Sequence, residues 1–329
     1  MAVDDFFGTL GVGESNHTLT DNGITPPVAG LISAKYVITY WKDLSGYFDL
    51  LKEYRGYKIF ENKNALPFAL VSSLSDVDCK PLSEDPFENI NIVYNDLLYE
   101  HLKGEDIFVK QPILYEENYS IEDLNKELCK GVSVGFIPME SGDYWIYTNT
   151  KIDHDETSYE TNEYGLRGNI KNLYLNGEKI GAYGDDDFNY SVDIGTLMAD
   201  ELNYLSLDGV SSENDVYVYY FNKKLFDSVV QNASGIDILE INKRHILLSG
   251  AVDRESEIIL SLPYENGYYI TVDGEKTDYY SYRNSLMVFK IDQGEHLIEI
   301  KYFPPGLKVG VTISILFITL TCLTLKKEL

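Results

Sequence analysis

The segment Tyr268-Tyr269-Ile270-Thr271-Val272-Asp273-Gly274-Glu275-Lys276 decides the fold class of this chain. Polar and apolar residues largely alternate in its first half, which places one face of a strand in a core and the other face in water. Asp-Gly then supplies the residues that a tight hairpin turn favours. The same alternation returns over residues 257–262 and 295–302, so this part of the chain is predicted to be an antiparallel β-domain.

An earlier part of the chain has the same order of motifs with longer spacers. Its aromatic strand is Gly142-Asp143-Tyr144-Trp145-Ile146, its hairpin is Leu175-Asn176-Gly177-Glu178-Lys179, and a glycine turn follows at Val192-Asp193-Ile194-Gly195. Alternating strands joined by such turns are typical of antiparallel sandwiches. We therefore predict two tandem, jelly-roll-like β-sandwiches over residues 131–235 and 236–306.

Residues 1–130 are predicted to form a small α+β segment. Strands are expected near Val37 and on both sides of a turn at Arg55-Gly56. Ser83-Glu84-Asp85-Pro86 is typical of a helix start, and apolar residues then recur at spacings of three and four, which predicts a helix near 86–103. A shorter helix is predicted over 121–129. The fold class is thus mainly β with few helices.

The balance of charge restricts the partners of the chain. Its 329 residues include 53 acidic and 27 basic residues, for a formal net charge of -26. A field of this sign repels nucleic acid and an anionic lipid leaflet.

The 27 tyrosines suit half-buried strands and wet surfaces. Cys79, Cys129 and Cys322 do not make a disulfide framework, although a bridge between Cys79 and Cys129 stays open.

An uncharged run, VGVTISILFITLTCLTL over residues 309–325, lies near the C-terminus. At about 1.5 Å of rise per residue, the run extended by Leu307 and the stem of Lys308 approaches a hydrocarbon core roughly 30 Å thick. It has no polar face. A buried core helix is the alternative interpretation, and a transmembrane helix over 307–325 is the prediction.

The flanking charges predict the orientation of this helix. Lys326 and Lys327, in the tail 326–329, outnumber Lys308. The positive-inside bias therefore places the tail in the cytoplasm and the body outside the cell. The first residues contain no basic stretch followed by an apolar one, so no signal peptide is recognised. Either the body is cytoplasmic and tail-anchored, or the chain is the end of a longer multi-span protein, which is the favoured interpretation.

Short motifs rich in glycine, proline and aromatic residues are spread along the chain in a distinctive order. They are Ala34-Lys35-Tyr36-Val37, Phe60-Glu61-Asn62-Lys63-Asn64-Ala65-Leu66-Pro67, Ser261-Leu262-Pro263-Tyr264, Gly267-Tyr268, Val272-Asp273-Gly274, Gly294-Glu295-His296 and Tyr302-Phe303-Pro304-Pro305-Gly306. Together they resemble the C-terminal part of the YfhO family, bacterial multi-pass membrane proteins grouped with the GT-C type glycosyltransferases. Where that family usually has Gly-Trp, this chain has Gly267-Tyr268, which keeps an aromatic residue.

The resemblance implies an activity for the whole family member and a supporting role for this part. The implied activity is transfer of a sugar from a polyprenyl-phosphate donor to a cell-envelope glycopolymer such as lipoteichoic acid. The implied catalytic acid lies in spanning helices before this region, so no residue here inherits a catalytic role, and no cofactor is expected. The expected partners are the lipid bilayer, an upstream multi-span part and cell-wall glycan. The expected location is the bacterial cell membrane, with the body extracytoplasmic.

Two other classes of function remain open. One is a membrane-anchored β-sandwich module for carbohydrate binding, adhesion or scaffolding. The other is a free glycoside hydrolase, which is disfavoured because no pair of carboxylates stands out among the 53 acidic residues.

Two aromatic groups are candidates for contact with carbohydrate. They are Tyr144, Trp145 and Tyr147 in the first group, and Tyr279, Tyr280 and Tyr282 in the second. Planar rings can stack on the apolar C–H faces of sugars, and their hydroxyl tips can hydrogen-bond the edges. The alternative is that alternate members belong to a core and the others are ordinary surface residues.

Three further candidates have plainer alternatives. Asp185-Asp186-Asp187 with Asn189 offers the oxygen ligands of calcium, but without EF-hand spacing, and an acidic hairpin tip is the favoured interpretation. Asp153-His154-Asp155-Glu156 is interpreted as a charged, solvated loop. His296 after Gly294 has the chemistry of an acid or base. A structural ring in a turn is favoured, and no metal site is predicted.

Overall fold

The structure is a computed structural model, and it describes residues 2–12, 14–15, 18–19, 24–39, 44–74, 78–122, 128–148, 171–183, 191–208 and 216–328. Within these residues the chain is mainly β, with antiparallel sheets and a few helices, so the predicted fold class is confirmed at that level. The chain divides into two compact units. The first unit comprises Met1–Leu66 and Ser72–Ala233, and the second comprises Pro67–Val71 and Ser234–Leu329.

The elements are numbered here in chain order. The helices are α1 (Ala2–Thr9), α2 (Pro26–Leu31), α3 (Pro86–Leu102), α4 (Lys223–Asn232) and α5 (Leu307–Glu328) in the described residues. The strands of the first unit are β1 (Glu14–Ser15), β2 (Thr18–Leu19), β3 (Tyr36–Thr39), β4 (Asp49–Tyr54), β5 (Tyr57–Glu61), β7 (Phe108–Lys110), β8 (Ile113–Glu122), β9 (Leu128–Phe136), β10 (Gly142–Thr148), β11 (Lys171–Leu175), β12 (Glu178–Tyr183), β13 (Val192–Leu197), β14 (Asn203–Asp208) and β15 (Val216–Phe221). The strands of the second unit are β6 (Ala69–Ser72), β16 (Gly235–Asn242), β17 (His245–Val252), β18 (Ser256–Pro263), β19 (Tyr268–Val272), β20 (Glu275–Thr277), β21 (Tyr279–Tyr282), β22 (Leu286–Ile291) and β23 (Gly294–Tyr302).

Two antiparallel sheets of the first unit share one apolar core. Their strand orders are β13-β10-β15-β7 and β12-β11-β14-β9-β8. Inward-facing residues of both sheets fill the core, namely Val132, Val134, Phe136, Tyr144, Ile146, Leu173, Ile194, Leu197, Leu205, Leu207, Val216 and Val218. Because strand residues alternate between faces, Trp145 and Tyr147 lie on the other side of β10 from Tyr144 and Ile146.

Helix α3 lies where the spacing of apolar residues predicts a helix. The Asp85 carboxylate caps its first turn by accepting from the backbone N–H of Phe87 at 3.0 Å. Lys103 (φ 51°) and Gly104 (φ 88°) then leave the helical conformation, which ends the helix. The ring of Phe87 packs against Phe108 and Tyr219, each at a centroid distance of 4.6 Å. Through these rings α3 covers the face of β7 and β15 opposite the sandwich core.

The predicted helix over 121–129 is wrong at both ends, and residues 123–127 lie outside the described residues. The end of β8 pairs there with the start of β9, with Glu122 opposite Leu128 and Ile121 opposite Cys129. Further along, residues 131–136 of β9 also pair with β14. This antiparallel pairing outweighs the weak helical spacing of the segment.

The N-terminal three-stranded sheet has the order β3-β5-β4. Arg55 (φ 52°) and Gly56 (φ 84°) form the turn between β4 and β5, which confirms the predicted pair of strands. Phe60 of β5 is fully buried and packs with Ala29 and Phe48.

The second unit wraps nine strands around one apolar core, in the order β20-β19-β23-β17-β16-β6-β18-β22-β21. Strand β6 comes from a part of the chain that the sequence places in the N-terminal segment. Its Leu70 pairs with Gly235 of β16, and the carbonyl of Phe68, just before it, accepts from the N–H of Ser261 at 3.0 Å. The predicted hairpin at Asp273-Gly274 is confirmed, with φ angles of 54° and 86°.

Helix α5 follows β23 after Pro304-Pro305-Gly306. Each of its side chains that the structure describes, at Leu307 and over 309–321, is exposed. Among the described residues, no helix has the length and apolarity that crossing a membrane needs. The side chains of Lys308, Cys322, Lys326 and Lys327 lie outside the described set. The transmembrane helix over 307–325 and its orientation therefore stay predictions.

Candidate functional site

The structure separates the six candidate glycan-binding rings by their exposure. Four of them, Tyr144, Trp145, Tyr147 and Tyr282, are buried. Tyr279 is half-buried, and Tyr280 is 40% exposed. A ring that stacks on a sugar needs an uncovered face, so Tyr280 and part of Tyr279 offer that surface in this structure.

Strand β10 is buried on both faces, which explains the burial of the first group. Tyr144 packs between Phe136 and Tyr220, at centroid distances of 6.2 and 5.6 Å. Its hydroxyl donates to the carbonyl of Glu140 at 2.7 Å. On the opposite face, Trp145 meets the edge of Phe108 at 6.5 Å. This second covered face is what the local sequence pattern does not show.

Tyr147 lies at the base of a shallow depression in the first unit. The depression is lined by Ser83, Glu84, Asp85, Glu88, Lys110, Tyr147 and Tyr217. Tyr147 and Tyr217 are paired across β10 and β15, with nearly parallel rings 5.9 Å apart. The Lys110 ammonium lies 3.8 Å from the centroid of Tyr217 and 3.9 Å from the Glu88 carboxylate. This geometry combines a cation–π contact with an ion pair.

Asp85 is the buried polar residue of this depression. Its carboxylate accepts from two backbone N–H groups of α3 and from the Tyr219 hydroxyl at 2.5 Å. Burial raises the pKa of Asp85, against the lowering effect of these hydrogen bonds. Burial and the nearby Asp85 carboxyl raise the pKa of Tyr219 far above its usual range. These bonds indicate a structural role for Asp85, while Glu88 and Lys110 are each about half exposed and are the groups that can meet a ligand.

A cluster of tyrosines surrounds the end of β23, just before α5. The rings of Tyr268 and Tyr302 lie 4.8 Å apart, and those of Tyr264 and Tyr279 lie 5.7 Å apart. Tyr268 also meets Tyr279 edge-on at 6.5 Å, which joins the two pairs. We call these four residues the tyrosine cluster. Phe303, the next residue along the chain, is exposed.

Hydrogen bonds hold the tyrosine cluster to the turn before β19. The Tyr279 hydroxyl donates to the carbonyl of Glu265 at 3.0 Å, and the Tyr302 hydroxyl donates to its carboxylate at 3.3 Å. The N–H of Phe303 donates to the carbonyl of Gly267 at 2.9 Å. Tyr279, predicted as a glycan-stacking residue, therefore contacts the turn before β19, to which Phe303 is also bonded.

His296 bridges the β19–β20 hairpin and the start of β23. Its Nδ1 lies 2.7 Å from the Asp273 carboxylate, and its Nε2 lies 2.8 Å from the carbonyl of Asp292. Both neighbours are acceptors, so they favour the doubly protonated ring, and the hydrogen bond to Asp273 raises the pKa of His296. Asp273 also accepts from the N–H of Leu297 at 2.9 Å. This geometry supports the structural interpretation of His296.

The acidic candidates cannot be placed in the same way. Asp185-Asp186-Asp187, Asn189 and Asp153-His154-Asp155-Glu156 lie outside the described residues. In the part of the chain that the structure describes, no three His, Cys, Asp or Glu side chains are grouped so as to hold a metal ion. Cys79 is exposed, and the side chain of Cys129 is not among those described.

The fold defines a class of protein in which a β-rich unit continues, through a proline-glycine turn, into an exposed apolar helix. The chain belongs to the family described as bacterial membrane protein YfhO, whose model matches residues 1–314. This family membership supports an association with the membrane.

A curated relative agrees with the family match. The uncharacterized protein YfhO of Bacillus subtilis (strain 168) is 24% identical over 200 residues, which cover 57% of this chain and 21% of the relative. The chain thus spans about a fifth of the length of that relative.

Solved structures resemble the chain only slightly. A GH31 alpha-xylosidase from Xanthomonas citri is 8% identical, with a TM-score of 0.18, over 59% of this chain and 14% of the xylosidase. A GH2 beta-galacturonidase from Eisenbergiella tayi, bound to galacturonate, is 6% identical, with a TM-score of 0.19, over 61% of this chain and 39% of the other. The CBM32-1, CBM32-2 and M60 catalytic domains of Clostridium perfringens ZmpB are 9% identical, with a TM-score of 0.22, over 64% and 35% of the two chains. Likenesses this weak carry no argument about function.

Proposed function

We propose that this chain is the extracytoplasmic part and membrane anchor of a YfhO-family membrane glycosyltransferase, and that it supports the reaction without catalysing it. In this proposal the whole protein transfers a sugar from a polyprenyl-phosphate donor to an envelope glycopolymer of the lipoteichoic acid type. The chain holds its β-units at the outer surface, beside the acceptor. The observation that carries the proposal is the exposed apolar helix α5, which begins next to the tyrosine cluster.

The exposed surface of α5 is apolar, so an apolar environment would stabilise it. Its exposed large hydrophobic residues are Leu307, Val309, Val311, Ile313, Ile315, Leu316, Phe317, Ile318 and Leu320. Burial of one such side chain is worth about 1.5–3 kcal/mol, so burying all of them is worth on the order of 10 kcal/mol or more. The acyl chains of a bilayer supply that burial.

The hydroxyl groups of α5 are also suited to lipid. Ser314 donates to the carbonyl of Gly310 at 2.9 Å, and Thr319 donates to that of Ile315 at 2.8 Å. These bonds satisfy the hydroxyl donors within the helix. A polar group without a partner costs several kcal/mol in a bilayer, so internal satisfaction favours insertion.

The residues next to α5 match a membrane interface. Tyrosine rings sit favourably at the headgroup level, where one end of the ring is apolar and the other is wet. The tyrosine cluster and exposed Phe303 provide such rings directly before the helix. Body outside and tail inside is the orientation that Lys326 and Lys327 favour.

The supporting role rests on the chemistry of the described residues. Asp85 is engaged in capping α3, and His296 is engaged with two acceptors in a turn. The Asp85 carboxylate accepts from the buried Tyr219 hydroxyl, and both ring nitrogens of His296 face acceptors, so these groups are used within the fold. Glycan contact would involve the exposed ring of Tyr280 and the depression at Glu88, Lys110 and Tyr217.

Membrane topology tests the anchor. We would express the chain in bacteria behind a cleavable export signal and label single cysteines in intact cells with a membrane-impermeant thiol reagent. Cys79, with the other two cysteines replaced, should react from outside. Glu328→Cys, in a variant without native cysteines, should react only after permeabilisation. A chain ending at Gly306 should leave the membrane fraction. Retention of that shortened chain, or external labelling of Glu328→Cys, would contradict the proposal.

A glycan-binding module is a second candidate, favoured by the exposed ring of Tyr280. The test is binding of lipoteichoic acid to the full chain in nanodiscs. Tyr280→Ala should weaken binding about fivefold or more, since a stacked ring is worth about 1 kcal/mol. Tyr204→Ala is the matched control, because Tyr204 is 44% exposed and belongs to neither aromatic group. Equal effects of the two variants would argue against a glycan site at Tyr280.

A further inference from the structure

The β16–β17 hairpin of the second unit ends beside the start of α5. Its tip is Asn242-Lys243-Arg244-His245, and Asn242 pairs with His245. The carbonyl of Arg244 accepts from the N–H of Tyr302 at 3.1 Å. A hydrogen bond of normal length thus fixes the tip to the last residue of β23.

The tip can be no farther from α5 than a short piece of chain allows. Leu307 follows Tyr302 by five positions, a span of at most about 18 Å when fully extended. The segment is shorter than that, because the N–H of Leu307 bonds back to the carbonyl of Pro304 at 3.2 Å. If α5 lies in a bilayer, the hairpin tip therefore lies at or near the headgroups.

The hairpin presents apolar side chains next to its basic tip. Leu239 is 60% exposed and Ile241 is 62% exposed, and Ile238 is also exposed. Lys243 and Arg244 are exposed as well. Apolar residues that flank basic ones are the composition of segments that lie in a membrane interface.

The charge of the tip is opposite to that of the chain as a whole. The chain carries a net charge of -26, which repels an anionic leaflet at long range. Close to the surface, each Lys or Arg is instead attracted to anionic lipid. The neighbouring Glu299 carboxylate is already paired with His245 at 2.9 Å and Lys301 at 2.7 Å. Lys243 and Arg244 are therefore available to face lipid phosphates.

We propose that the tip of the β16–β17 hairpin is a second membrane contact, in which Lys243 and Arg244 bind the phosphates of anionic lipid headgroups and Leu239 and Ile241 enter the interface. This contact fixes the tilt of the second unit against the leaflet and offsets local repulsion by the acidic chain. It rests on the proposed membrane anchor at α5.

The opposite end of the same strand supplies a matched control. Arg244 and Arg254 flank β17 at its two ends, and β17 pairs with β23 from His245–Lys301 to Val252–Gly294. Eight residues of strand separate the ends by about 27 Å at roughly 3.4 Å per residue. Arg254 and Glu255 are exposed at the far turn. Charge reversal at Arg254 thus changes the same residue type away from the proposed contact.

The experiment uses the full chain without native cysteines, reconstituted in nanodiscs, with an environment-sensitive fluorophore on a single new cysteine. Reporters are placed at Ile241→Cys, at Glu255→Cys and, within α5, at Ile315→Cys. The nanodiscs contain phosphatidylcholine alone or mixed with phosphatidylglycerol. Quenching by headgroup-labelled or acyl-labelled lipids reports contact with the bilayer.

We expect the Ile241→Cys reporter to be quenched more strongly with phosphatidylglycerol, and the Glu255→Cys reporter to stay unquenched. Reversal of each tip cation, Lys243→Glu or Arg244→Glu, should lower the ratio of quenched to unquenched reporter about fivefold, whereas Arg254→Glu should not. Added salt should weaken the effect of phosphatidylglycerol.

The outcomes separate the two proposals. An unquenched Ile315→Cys reporter overturns the membrane anchor and the hairpin contact together. A quenched Ile315→Cys reporter with an unquenched Ile241→Cys reporter overturns the hairpin contact alone. If the quenching at Ile241→Cys changes neither with phosphatidylglycerol nor with the two charge reversals, the role of anionic headgroups is overturned.

Discussion

Replacement of Asp85 should destabilise the first unit through two separate losses. Asp85 is 7% exposed and caps α3 through the N–H groups of Phe87 and Glu88. It also accepts a hydrogen bond from the buried Tyr219 hydroxyl at 2.5 Å. Loss of an N-cap costs about 1 kcal/mol. A buried donor without its acceptor costs about 1–3 kcal/mol. Asp85→Ala should therefore lower the free energy of unfolding by about 2–4 kcal/mol.

Two further variants measure separately the contributions of the helix cap and of the hydrogen bond from Tyr219. Asp85→Asn keeps a capping oxygen and an acceptor for Tyr219, so it should cost less than Asp85→Ala. Tyr219→Phe removes the hydroxyl and leaves Asp85 with its backbone donors, at a cost of about 1 kcal/mol. The double variant Asp85→Ala with Tyr219→Phe should cost less than the sum of its parts, because no orphaned hydroxyl remains.

The pH dependence follows from the raised pKa of Asp85. The folded state binds the proton more tightly than the unfolded state, so this carboxyl destabilises the fold as it ionises. Ionisation of Asp85 therefore lowers the free energy of unfolding as the pH rises from the ordinary carboxyl pKa of the unfolded state through the raised pKa of the folded state. Asp85→Asn should remove that part of the pH dependence.

The assay is urea unfolding of the full chain in mild detergent, followed by the fluorescence of buried Trp145. Native chain, the three single variants and the double variant are compared over a range of pH. A loss below about 0.5 kcal/mol for Asp85→Ala would refute the reasoning. So would an equal loss for Asp85→Asn and Asp85→Ala.

Three other outcomes concern the second unit, which contains no tryptophan, so its unfolding in urea is followed by far-ultraviolet circular dichroism. The His296→Gln variant should be less stable than the native chain at low pH, and the difference should shrink as the pH rises. The reason is that the pKa of His296 is raised in the folded state, so the stability from its protonated ring is lost as the pH rises through that pKa. A difference that does not change with pH would contradict this. Gly235→Ala would place a Cβ 2.2 Å from the Cβ of Pro67, so the free energy of unfolding should fall by about 1–3 kcal/mol. The control is Gly181→Ala, where no atom lies within 4 Å of the new Cβ and the change should be less than about 0.5 kcal/mol. Leu260→Ala, at a fully buried position of the second unit, should lower the free energy of unfolding by about 2–5 kcal/mol, and a smaller loss would mean that the core closes over the cavity.

The features that the sequence predicted well are local ones. Arg55-Gly56 and Asp273-Gly274 adopt positive φ angles in hairpin turns, a conformation that glycine adopts freely and aspartate tolerates. Asp85-Pro86 starts α3 for a similar reason, since a capping side chain and a proline fit the first helical turn. Such signals depend on a few neighbouring residues, and no distant contact is needed to interpret them.

The features that the sequence did not predict depend on contacts between residues far apart in the chain. Residues 131–136 of β9 pair with the distant strand β14, and this pairing supports the strand whose start includes Leu128 and Cys129. Trp145 and Tyr144 are buried on opposite faces of β10 because Tyr47 and Phe108 cover one face and the second sheet covers the other. The bond between Asp85 and Tyr219 joins residues far apart in sequence, and only the capping role of Asp85 leaves a local signal.

Strand β6 has a consequence for how the protein is made. Its partners Gly235 and Ser261 are synthesised long after Leu70, with the whole first sandwich in between. On the ribosome, residues 67–71 must wait unpaired while the first unit folds. Closure of so long a loop slows the search for native pairing. We therefore expect the second unit to mature last, in one late step, and a cut after Ala233 to leave the C-terminal fragment without β6.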